Sequence, residues 1–248
     1  MAGTWLILPT YNEAQNVEAV VRASLDRLAE TGGQHTVLIV DDNSPDGTGR
    51  VADRLAEKLS EVRVLHRATK DGLGRAYLAG FAMALDNGAE LIMEMDADFS
   101  HDPADIPRLV AAAGAADLVL GSRYVPGGGV ESWGLLRRAV SWGGCAYARL
   151  LLGVPVRDLT GGFKCFNRRV LEGIDLSGVH ANGYGFQIEL TYRAVKAGFT
   201  VAEVPILFRE RRTGKSKMTP RIALEAVWKV PALRFRRASV RNPSLYFV

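Results

Sequence analysis

The sequence predicts an α/β fold in which a mostly parallel central sheet is flanked by helices. Short apolar runs, rich in β-branched residues, alternate with segments of helical periodicity through the first half of the chain. Strands separated by helix-length segments are typical of right-handed crossovers in a parallel sheet. The chain has 248 residues, of which 48% are hydrophobic, and this is enough to bury a complete core. We expect one large domain over residues 1–225 and a basic, apolar tail over residues 226–248.

The predicted elements follow one another in order along the chain. Strands are expected over residues 5–8, 37–40, 62–65, 91–95, 118–120 and 201–208. Apolar side chains at helical spacing predict helices that cover residues 17–28, 51–59, 76–84, 105–112 and 139–152. The last of these is interrupted by Arg149 and is shorter than the roughly 20 residues that a membrane-spanning helix needs. We therefore expect no transmembrane helix.

Polar runs follow each of the first five predicted strands. They are PTYNE at residues 9–13, DDNSPDGT at 41–48, HR at 66–67 with KDGLG at 70–74, DADFSH at 96–101, and GSRY at 121–124. Because ligands bind at the carboxyl ends of parallel strands, we expect these runs to line one crevice. Each run is also ordinary turn or helix-capping sequence when it is considered alone, and residues 43–47 are the clearest case.

Asp96 and Asp98 are the strongest candidates for a metal site. Two carboxylates one residue apart at the end of a buried strand can share a divalent cation, and that cation can hold a diphosphate. A triplet of this kind is expected about once by chance in a chain of this length, and an acidic turn is the alternative interpretation. Two glycine-rich motifs that bind phosphate do not fit this sequence. A dinucleotide-binding fingerprint needs glycines in the turn after the first strand, and that turn has none. A phosphate loop that ends at residues 214–216 needs its first glycine at position 209, where this chain has Arg209.

Six motifs resemble those of the polyprenol-phosphate (dolichol-phosphate) mannosyltransferases, which are family 2 glycosyltransferases with the GT-A fold. They are the runs at residues 9–13, 41–48, 96–101 and 121–124 together with DLTGGF at 158–163 and GKSK at 214–217. The resemblance extends over residues 4–225 in the same order. It implies an inverting, metal-dependent enzyme that moves mannose from GDP-mannose to a polyprenyl monophosphate with Mg²⁺ or Mn²⁺.

The resemblance also implies roles for individual residues. Donor binding would involve Pro9, Tyr11, Glu13, Val40, Asp41, Asp42, Asp96, Ala97, Asp98, Arg211 and Lys217. The metal would be held by Asp96 and Asp98, with Ser100 at a position where the family often has a glutamine; a hydroxyl is a weaker ligand, so water is the alternative. Asp98, Arg123, Arg211 and Lys217 would act in catalysis, and Arg123, Arg137 and Lys164 would bind the acceptor. As an alternative, Lys164 is an ordinary surface lysine on a strand.

The choice of acceptor depends on whether a general base is present. A phosphate monoester is largely ionised at neutral pH, whereas a hydroxyl acceptor needs a base to remove its proton. The candidates for such a base are His101, Asp102 and Glu189, and His101 also stands at a predicted helix entry where a structural role is expected. A related enzyme that uses UDP-glucose or a hydroxyl acceptor, and a nucleotide-sugar-binding protein without turnover, remain alternatives.

Basic and apolar residues in the second half predict contact with phosphate groups and with a membrane. A basic loop over residues 209–217 is expected to close over the phosphates, or alternatively to face solvent. The helix at 139–152 with Arg137 is expected to meet an isoprenoid chain, or alternatively to pack in the core. The tail suits an anionic membrane surface. We expect a peripheral protein on the cytoplasmic face of a membrane, with a membrane-anchoring subunit as a candidate partner and no nucleic acid.

Overall fold

A seven-stranded sheet forms the centre of the computed structural model, which describes residues 3–179, 183–210 and 230–234. The strands are β1 (Thr4–Thr10), β2 (His35–Asp41), β3 (Val62–His66), β4 (Leu91–Glu94), β5 (Leu118–Ser122), β6 (Gly129–Val130), β7 (Lys164–Asn167), β8 (Val201–Pro205) and β9 (Leu207–Phe208). The order across the sheet is β3-β2-β1-β4-β7-β5-β8, and β7 runs antiparallel to both of its neighbours while the other pairs are parallel.

Helices cover both faces of this sheet. They are α1 (Val17–Ala29), α2 (Thr48–Lys58), α3 (Leu73–Asp86), α4 (Ile106–Ala112), α5 (Leu135–Leu152), α6 (Arg168–Gly173) and α7 (Tyr184–Lys196). Alternate residues of β1 contribute to opposite sides: Ile7 belongs to one apolar cluster with Tyr77 and Phe186, and Leu6 and Leu8 belong to the other. Because both faces are buried, the first strands have continuous apolar sequence rather than an alternating pattern.

The first five predicted strands and the predicted helices are present, but the strand predicted over residues 201–208 is wrong in one respect. It is divided into β8, which pairs with β5, and β9, which pairs with β6 in a separate two-stranded sheet. The division follows Pro205, which has no N–H to continue the ladder, while Ile206 turns into the core and is only 3% exposed. The short strands β6 and β7 and the helices α6 and α7 were not predicted.

The carboxyl-terminal part of the chain is only partly described. Residues 230–234, which fall within the predicted tail, pack on the main domain through the buried side chains of Val230 and Leu233. The Arg234 guanidinium donates a hydrogen bond to the Leu151 carbonyl oxygen at 2.6 Å. The predicted basic loop beyond residue 210, including Arg211 and Lys217, lies outside the described residues. In the part of the chain that the structure describes, no helix has both the length and the apolarity to cross a bilayer.

Candidate active site

A cleft of about 440 Å³ lies at the carboxyl ends of the parallel strands. Residues that follow β1, β2, β4 and β5 contribute to its wall, as the polar runs in the sequence predicted. Five further segments complete it: the loop after β3 with the start of α3, residues 133–137 at the start of α5, residues 160–162, the start of α7, and Phe208 of β9. The site therefore combines strand ends from the first half of the chain with loops and a helix from the second half.

The residues that were expected to bind the donor are not all exposed to this cleft. Seven of them line it, namely Pro9, Tyr11, Glu13, Asp42, Asp96, Ala97 and Asp98. Val40 is completely buried in β2, so its predicted contact with the donor is corrected to a packing role. Asp41 is 3% exposed and accepts hydrogen bonds from the Thr10 hydroxyl at 3.2 Å and the Ser44 hydroxyl at 2.6 Å, which makes it a support for the loop rather than part of the cleft wall.

Hydrogen bonds join the loops that follow β1 and β2. The Asp46 carboxylate accepts from the Ala14 N–H at 3.0 Å and from the Thr48 hydroxyl at 2.6 Å, and the same hydroxyl oxygen accepts from the Glu13 N–H at 2.9 Å. Asn43 has a positive φ of 55°, which its short polar side chain tolerates. These contacts fix the backbone that carries Glu13. This wall of the cleft is therefore held together by hydrogen bonds between its two loops.

Two charged contacts lie on the same wall. Asp42 pairs with Arg67, and burial raises the pKa of Asp42 above its ordinary value while the Arg67 guanidinium opposes that shift. The Lys70 ammonium lies 3.7 Å from the centre of the Tyr11 ring, within the range of a cation–π contact. Tyr11 and Lys70 both line the cleft, so an aromatic face and a cation are available to a nucleotide.

Asp96 and Asp98 come directly after β4 and both line the cleft. The Asp96 side chain is 33% exposed, whereas Asp98 is only 4% exposed as a residue. Asp98 Oδ1 accepts hydrogen bonds from the Ser100 N–H at 3.0 Å and from the Ser100 hydroxyl at 2.6 Å. Phe99 between them adopts a positive φ of 61°, which lets the chain turn back onto Asp98. These two hydrogen bonds hold Oδ1 of Asp98 and fix the orientation of its carboxylate.

Ser100 does not belong to the cleft wall. It is 3% exposed and its hydroxyl donates to Asp98 Oδ1, so its side chain is not directed into the cleft as a metal ligand there would have to be. Among residues 3–179, 183–210 and 230–234, no cluster of three His, Cys, Asp or Glu side chains is arranged to hold a metal. Two carboxylates that reach one cleft provide hard oxygen ligands suited to Mg²⁺ or Mn²⁺, with diphosphate oxygens and water completing the shell.

His101 lies beside the metal pair in an apolar setting. It is 1% exposed and packs between the rings of Phe163 and Phe208 at 5.2 and 5.1 Å, with Nε2 3.7 Å from Asp96 Oδ2. Burial lowers the pKa of His101 to about 4, so the ring is neutral at pH 7 and is a weak base. The other candidates for a base are engaged away from the cleft: Asp102 caps the turn at Ala104 and pairs with Arg209, and Glu189 pairs with Arg193.

Arg123 and Arg137 bring positive charge to a second wall of the cleft, formed by residues that follow β5 and by α5. Asp158 holds Arg123 through two hydrogen bonds of 2.7 Å, and the Thr160 hydroxyl accepts a third at 2.7 Å. Although burial disfavours the charged form, Asp158 raises the pKa of Arg123 above its ordinary value. Arg137 on α5 is more open, with its side chain 47% exposed and 3.0 Å from the Glu210 carboxylate. Both line the cleft, so they fit a binding site for an anion.

The position of Lys164 agrees with neither interpretation of the sequence, acceptor binding or a surface lysine. Its side chain is completely buried, so it is neither a surface lysine nor a group exposed to the acceptor. Its ammonium donates to the Gln187 carbonyl oxygen at 3.0 Å and to the Gln187 side-chain oxygen, and lies 3.4 Å from Glu94 Oε1. The reason is the position of β7 between β4 and β5, which places Lys164 beside Glu94 in the sheet.

Several residues of the cleft wall were not singled out from the sequence. They are Trp133, Thr160, Gly161, Gly162, Tyr184, Gln187 and Phe208. Gly161 stands where a Cβ would lie 3.2 Å from the Gly121 carbonyl oxygen, so its lack of a side chain permits the close approach to β5. The motif at residues 158–163 was a signal for this loop. Gln187 and Tyr184 lie on α7, whose sequence gave no clear helical pattern.

Comparisons with known proteins agree with this geometry. Residues 5–175 match the family model of glycosyl transferase family 2. The chain is 46% identical over 224 residues to an undecaprenyl-phosphate mannosyltransferase of Micrococcus luteus, covering 90% of each chain. It is 49% identical over 229 residues to a polyprenol monophosphomannose synthase of Mycolicibacterium smegmatis, covering 92% of this chain and 85% of that protein.

A solved structure supports the fold assignment. The glucosyl-3-phosphoglycerate synthase from Mycobacterium tuberculosis, in complex with Mn²⁺, uridine diphosphate and phosphoglyceric acid, superposes with a TM-score of 0.71. The alignment covers 96% of this chain and 80% of that one at 20% identity, so it concerns the fold alone. Together, the sheet, the cleft at the strand ends and the matched residues show that this chain belongs to glycosyl transferase family 2 and has the GT-A fold.

Proposed function

We propose that this chain transfers mannose from GDP-mannose to a polyprenyl monophosphate with inversion, forming polyprenyl-phosphate-mannose. The names of the two relatives described above support this choice of sugar and acceptor. The single observation that carries the proposal is that Asp96 and Asp98 line the same cleft as Arg123 and Arg137. A carboxylate pair for a metal diphosphate and arginines for a second anion are the two binding functions that this reaction needs.

The carboxylate pair would hold Mg²⁺ or Mn²⁺. Such a cation would supply Lewis-acid chemistry, neutralising negative charge on the diphosphate leaving group. Ser100 fixes the orientation of Asp98 and so reduces the reorganisation that cation binding requires. Asp96, with a third of its side chain exposed, is accessible to the diphosphate. The Mn²⁺ bound with uridine diphosphate in the structural neighbour supports a divalent cation in this fold.

The second wall fits a phosphate monoester better than a hydroxyl acceptor. Arg123 is fixed by Asp158 and Thr160, and Arg137 adds an exposed cation at the rim. A phosphate monoester needs these charges and no proton removal, because it is largely ionised at pH 7. The lowered pKa of His101 makes that residue a poor base for a hydroxyl. The arrangement therefore favours the polyprenyl phosphate over a sugar hydroxyl.

The apolar surface of α5 supports an acceptor that resides in a membrane. Large apolar side chains of this helix are exposed, with Leu135 at 83%, Leu136 at 79%, Trp142 at 61% and Leu150 at 84%. The helix begins beside the cleft, since Arg137 on its first turn lines the wall. An exposed apolar stripe next to arginines is typical of a surface that rests on anionic lipid. We propose peripheral binding to the cytoplasmic face through this helix.

Arg211 and Lys217 are proposed to contact the donor diphosphate and the acceptor phosphate. Phe208 lines the cleft, and Arg211 follows it by three residues, which is at most about 11 Å of extended chain. That distance supports the proposed role.

An anchoring subunit is a separate part of the proposal, and flotation with anionic liposomes tests it: tight binding of the purified chain alone would remove the need for one.

Transfer of label to lipid tests the proposed function. The purified protein is incubated with a short polyprenyl phosphate, Mg²⁺ or Mn²⁺, and labelled GDP-mannose or UDP-glucose in separate reactions. We expect label in the lipid with GDP-mannose and loss of the product when a chelator removes the cation. Transfer from UDP-glucose alone would overturn the proposed donor, and labelling of a hydroxyl acceptor in place of the phosphate would overturn the proposed acceptor.

A further inference from the structure

A buried polar cluster lies directly beneath the cleft and has no part in the function proposed above. It consists of Glu94 on β4, Lys164 on β7 and Gln187 on α7, and we call it the amide cluster. Glu94 and Lys164 are completely buried, and Gln187 is 2% exposed. Three polar side chains of this size are costly to bury unless their contacts define a specific geometry. Of the three, only Gln187 lines the cleft.

Lys164 fixes the direction of the Gln187 amide. A lysine ammonium has hydrogen-bond donors only, so the amide must present its oxygen to Lys164 and its NH₂ group must point the other way. Among the described residues, Nε2 of Gln187 has no hydrogen-bond partner of normal geometry, although it is buried. The amide also interacts with Glu94. Because the NH₂ group carries two hydrogens, that interaction leaves one donor for the cleft.

Gly162 shows where this donor lies. A Cβ on Gly162 would be 3.4 Å from Gln187 Nε2 and 3.8 Å from Asp96 Oδ1. The amide nitrogen and a carboxylate oxygen of Asp96 therefore lie on the same side of Gly162, and a side chain there would crowd the amide. Gly162, Gln187 and Asp96 all line the cleft.

We propose that Gln187 Nε2 donates a hydrogen bond to a hydroxyl group on the sugar ring of the donor, and that Lys164 is the positioning residue for this contact. The inference rests on the function proposed above and adds a residue that contributes to recognition of the donor sugar. A hydroxyl suits these two groups because it can accept from the amide and donate to Asp96 at the same time. A phosphate oxygen cannot donate to a carboxylate.

Donors that lack one hydroxyl test the contact. We would measure kcat/KM with GDP-mannose and with its 2-, 3-, 4- and 6-deoxy analogues for the wild-type protein and for Gln187→Glu. The glutamate keeps an oxygen for Lys164 and replaces the N–H donor with a second carboxylate oxygen. The wild type is expected to discriminate against one deoxy donor by about 3- to 10-fold through this bond. Gln187→Glu is expected to lose that discrimination at the same hydroxyl and to keep it at the others.

The comparison is internally controlled. The intrinsic reactivity of each donor is the same for both proteins. Dividing the wild-type ratio of kcat/KM for GDP-mannose and a deoxy donor by the same ratio for the variant therefore isolates the contact with residue 187. Tyr192→Phe removes a hydroxyl from the same helix outside the cleft wall and should reproduce the wild-type pattern. Gln187→Met, which also lacks the donor, repeats the test with a neutral side chain, and thermal melting verifies that each variant is folded.

The outcomes separate the two proposals. If both Gln187 variants retain the wild-type pattern at every hydroxyl, the sugar contact is wrong while mannose transfer by the wild type still stands. If the wild type transfers no mannose from GDP-mannose, the proposed function fails before the variants are compared. An equal loss of activity with all donors in both variants would assign Gln187 a general structural role and would also overturn the inference.

Discussion

The two walls of the cleft are built differently. The wall formed by the strand ends of the first half is held by short hydrogen bonds between neighbouring loops, such as those of Asp46 and Thr48. The second wall combines segments that are distant in sequence: Arg123 follows β5, Asp158 precedes β7, and Arg137 lies on an exposed helix. The first wall is thus held by contacts between loops that follow adjacent strands, whereas the second depends on contacts between distant segments. The difference predicts separate effects of variants on donor and acceptor.

The largest effect is expected from Asp98→Ala in the metal site. Removing one of two carboxylates should reduce transfer by about 10³-fold and weaken donor binding in the presence of Mn²⁺. Calorimetric titration of the donor and steady-state turnover measure the two effects. Ser100→Ala is the matched comparison, because it frees Asp98 without removing it, and a smaller loss of roughly tenfold is expected. Full activity of Asp98→Ala would remove the basis of the metal site.

A second effect concerns the basic segment that follows β9. Arg211→Ala and Lys217→Ala are each expected to lower kcat by about 10²-fold, because a cation close to the departing diphosphate stabilises charge that develops in the transition state. Arg209→Ala is a suitable control, since Arg209 pairs with Asp102 and Glu131 at the surface. If Arg211→Ala and Arg209→Ala have the same kcat, the segment is a solvent-exposed loop without a role in catalysis.

Asp158→Asn should affect the acceptor wall alone. With Arg123 no longer held by a carboxylate, KM for the polyprenyl phosphate is expected to rise about 30-fold while KM for the donor stays constant. Breaking a buried pair should also lower the free energy of unfolding by about 3 kcal/mol at pH 7. Equal changes in both KM values would show that the two walls are not separate.

The same pair predicts a pH dependence of stability. Burial opposes ionisation of Asp158, but Arg123 prevails and lowers the pKa of Asp158 below its ordinary value. A carboxyl with a lower pKa in the folded state adds stability above its unfolded pKa of about 3.9, and that contribution is lost as the pH falls through the folded pKa. The stability difference between wild type and Asp158→Asn should therefore be constant from pH 7 to about pH 5 and should shrink below about pH 4. Denaturant titrations at each pH measure it.

The smallest effect is expected at the apolar surface of α5. Leu150→Ser removes an apolar side chain that is 84% exposed, so the fold should be unaffected. Binding to anionic vesicles should weaken about threefold, because part of the side chain leaves the lipid. Transfer to a short, water-soluble acceptor should not change. A loss of transfer to the short acceptor would place Leu150 in the site rather than at the membrane.

Local patterns in the sequence were sufficient for the first half of the fold. Each early strand is a run of consecutive apolar residues, and the polar residues after it are adjacent in sequence to the strand that places them. The positions of Asp96, Asp98 and most of the strand-end residues in the cleft were predicted for this reason. Val40 was an exception, because its burial depends on packing across the sheet rather than on its own neighbours.

The second half depends on contacts that local sequence does not reveal. The antiparallel strand β7 is four residues long, yet it places Lys164 next to Glu94, a residue 70 positions earlier in the chain. The same packing brings Gln187 to the cleft. Ser100 was assigned to the metal because its spacing from Asp98 was known, whereas the direction of its hydroxyl depends on the positive φ of Phe99. Such residues require the folded structure.

The most direct test of the account compares two acceptors that differ only in the phosphate. The wild-type protein, labelled GDP-mannose and Mn²⁺ are incubated with a short polyprenyl phosphate or with the corresponding polyprenol, and the labelled lipid is counted. The account predicts rapid labelling of the phosphate and none of the alcohol, because the acceptor wall supplies arginines and no effective base. Labelling of the alcohol at a similar rate would contradict it.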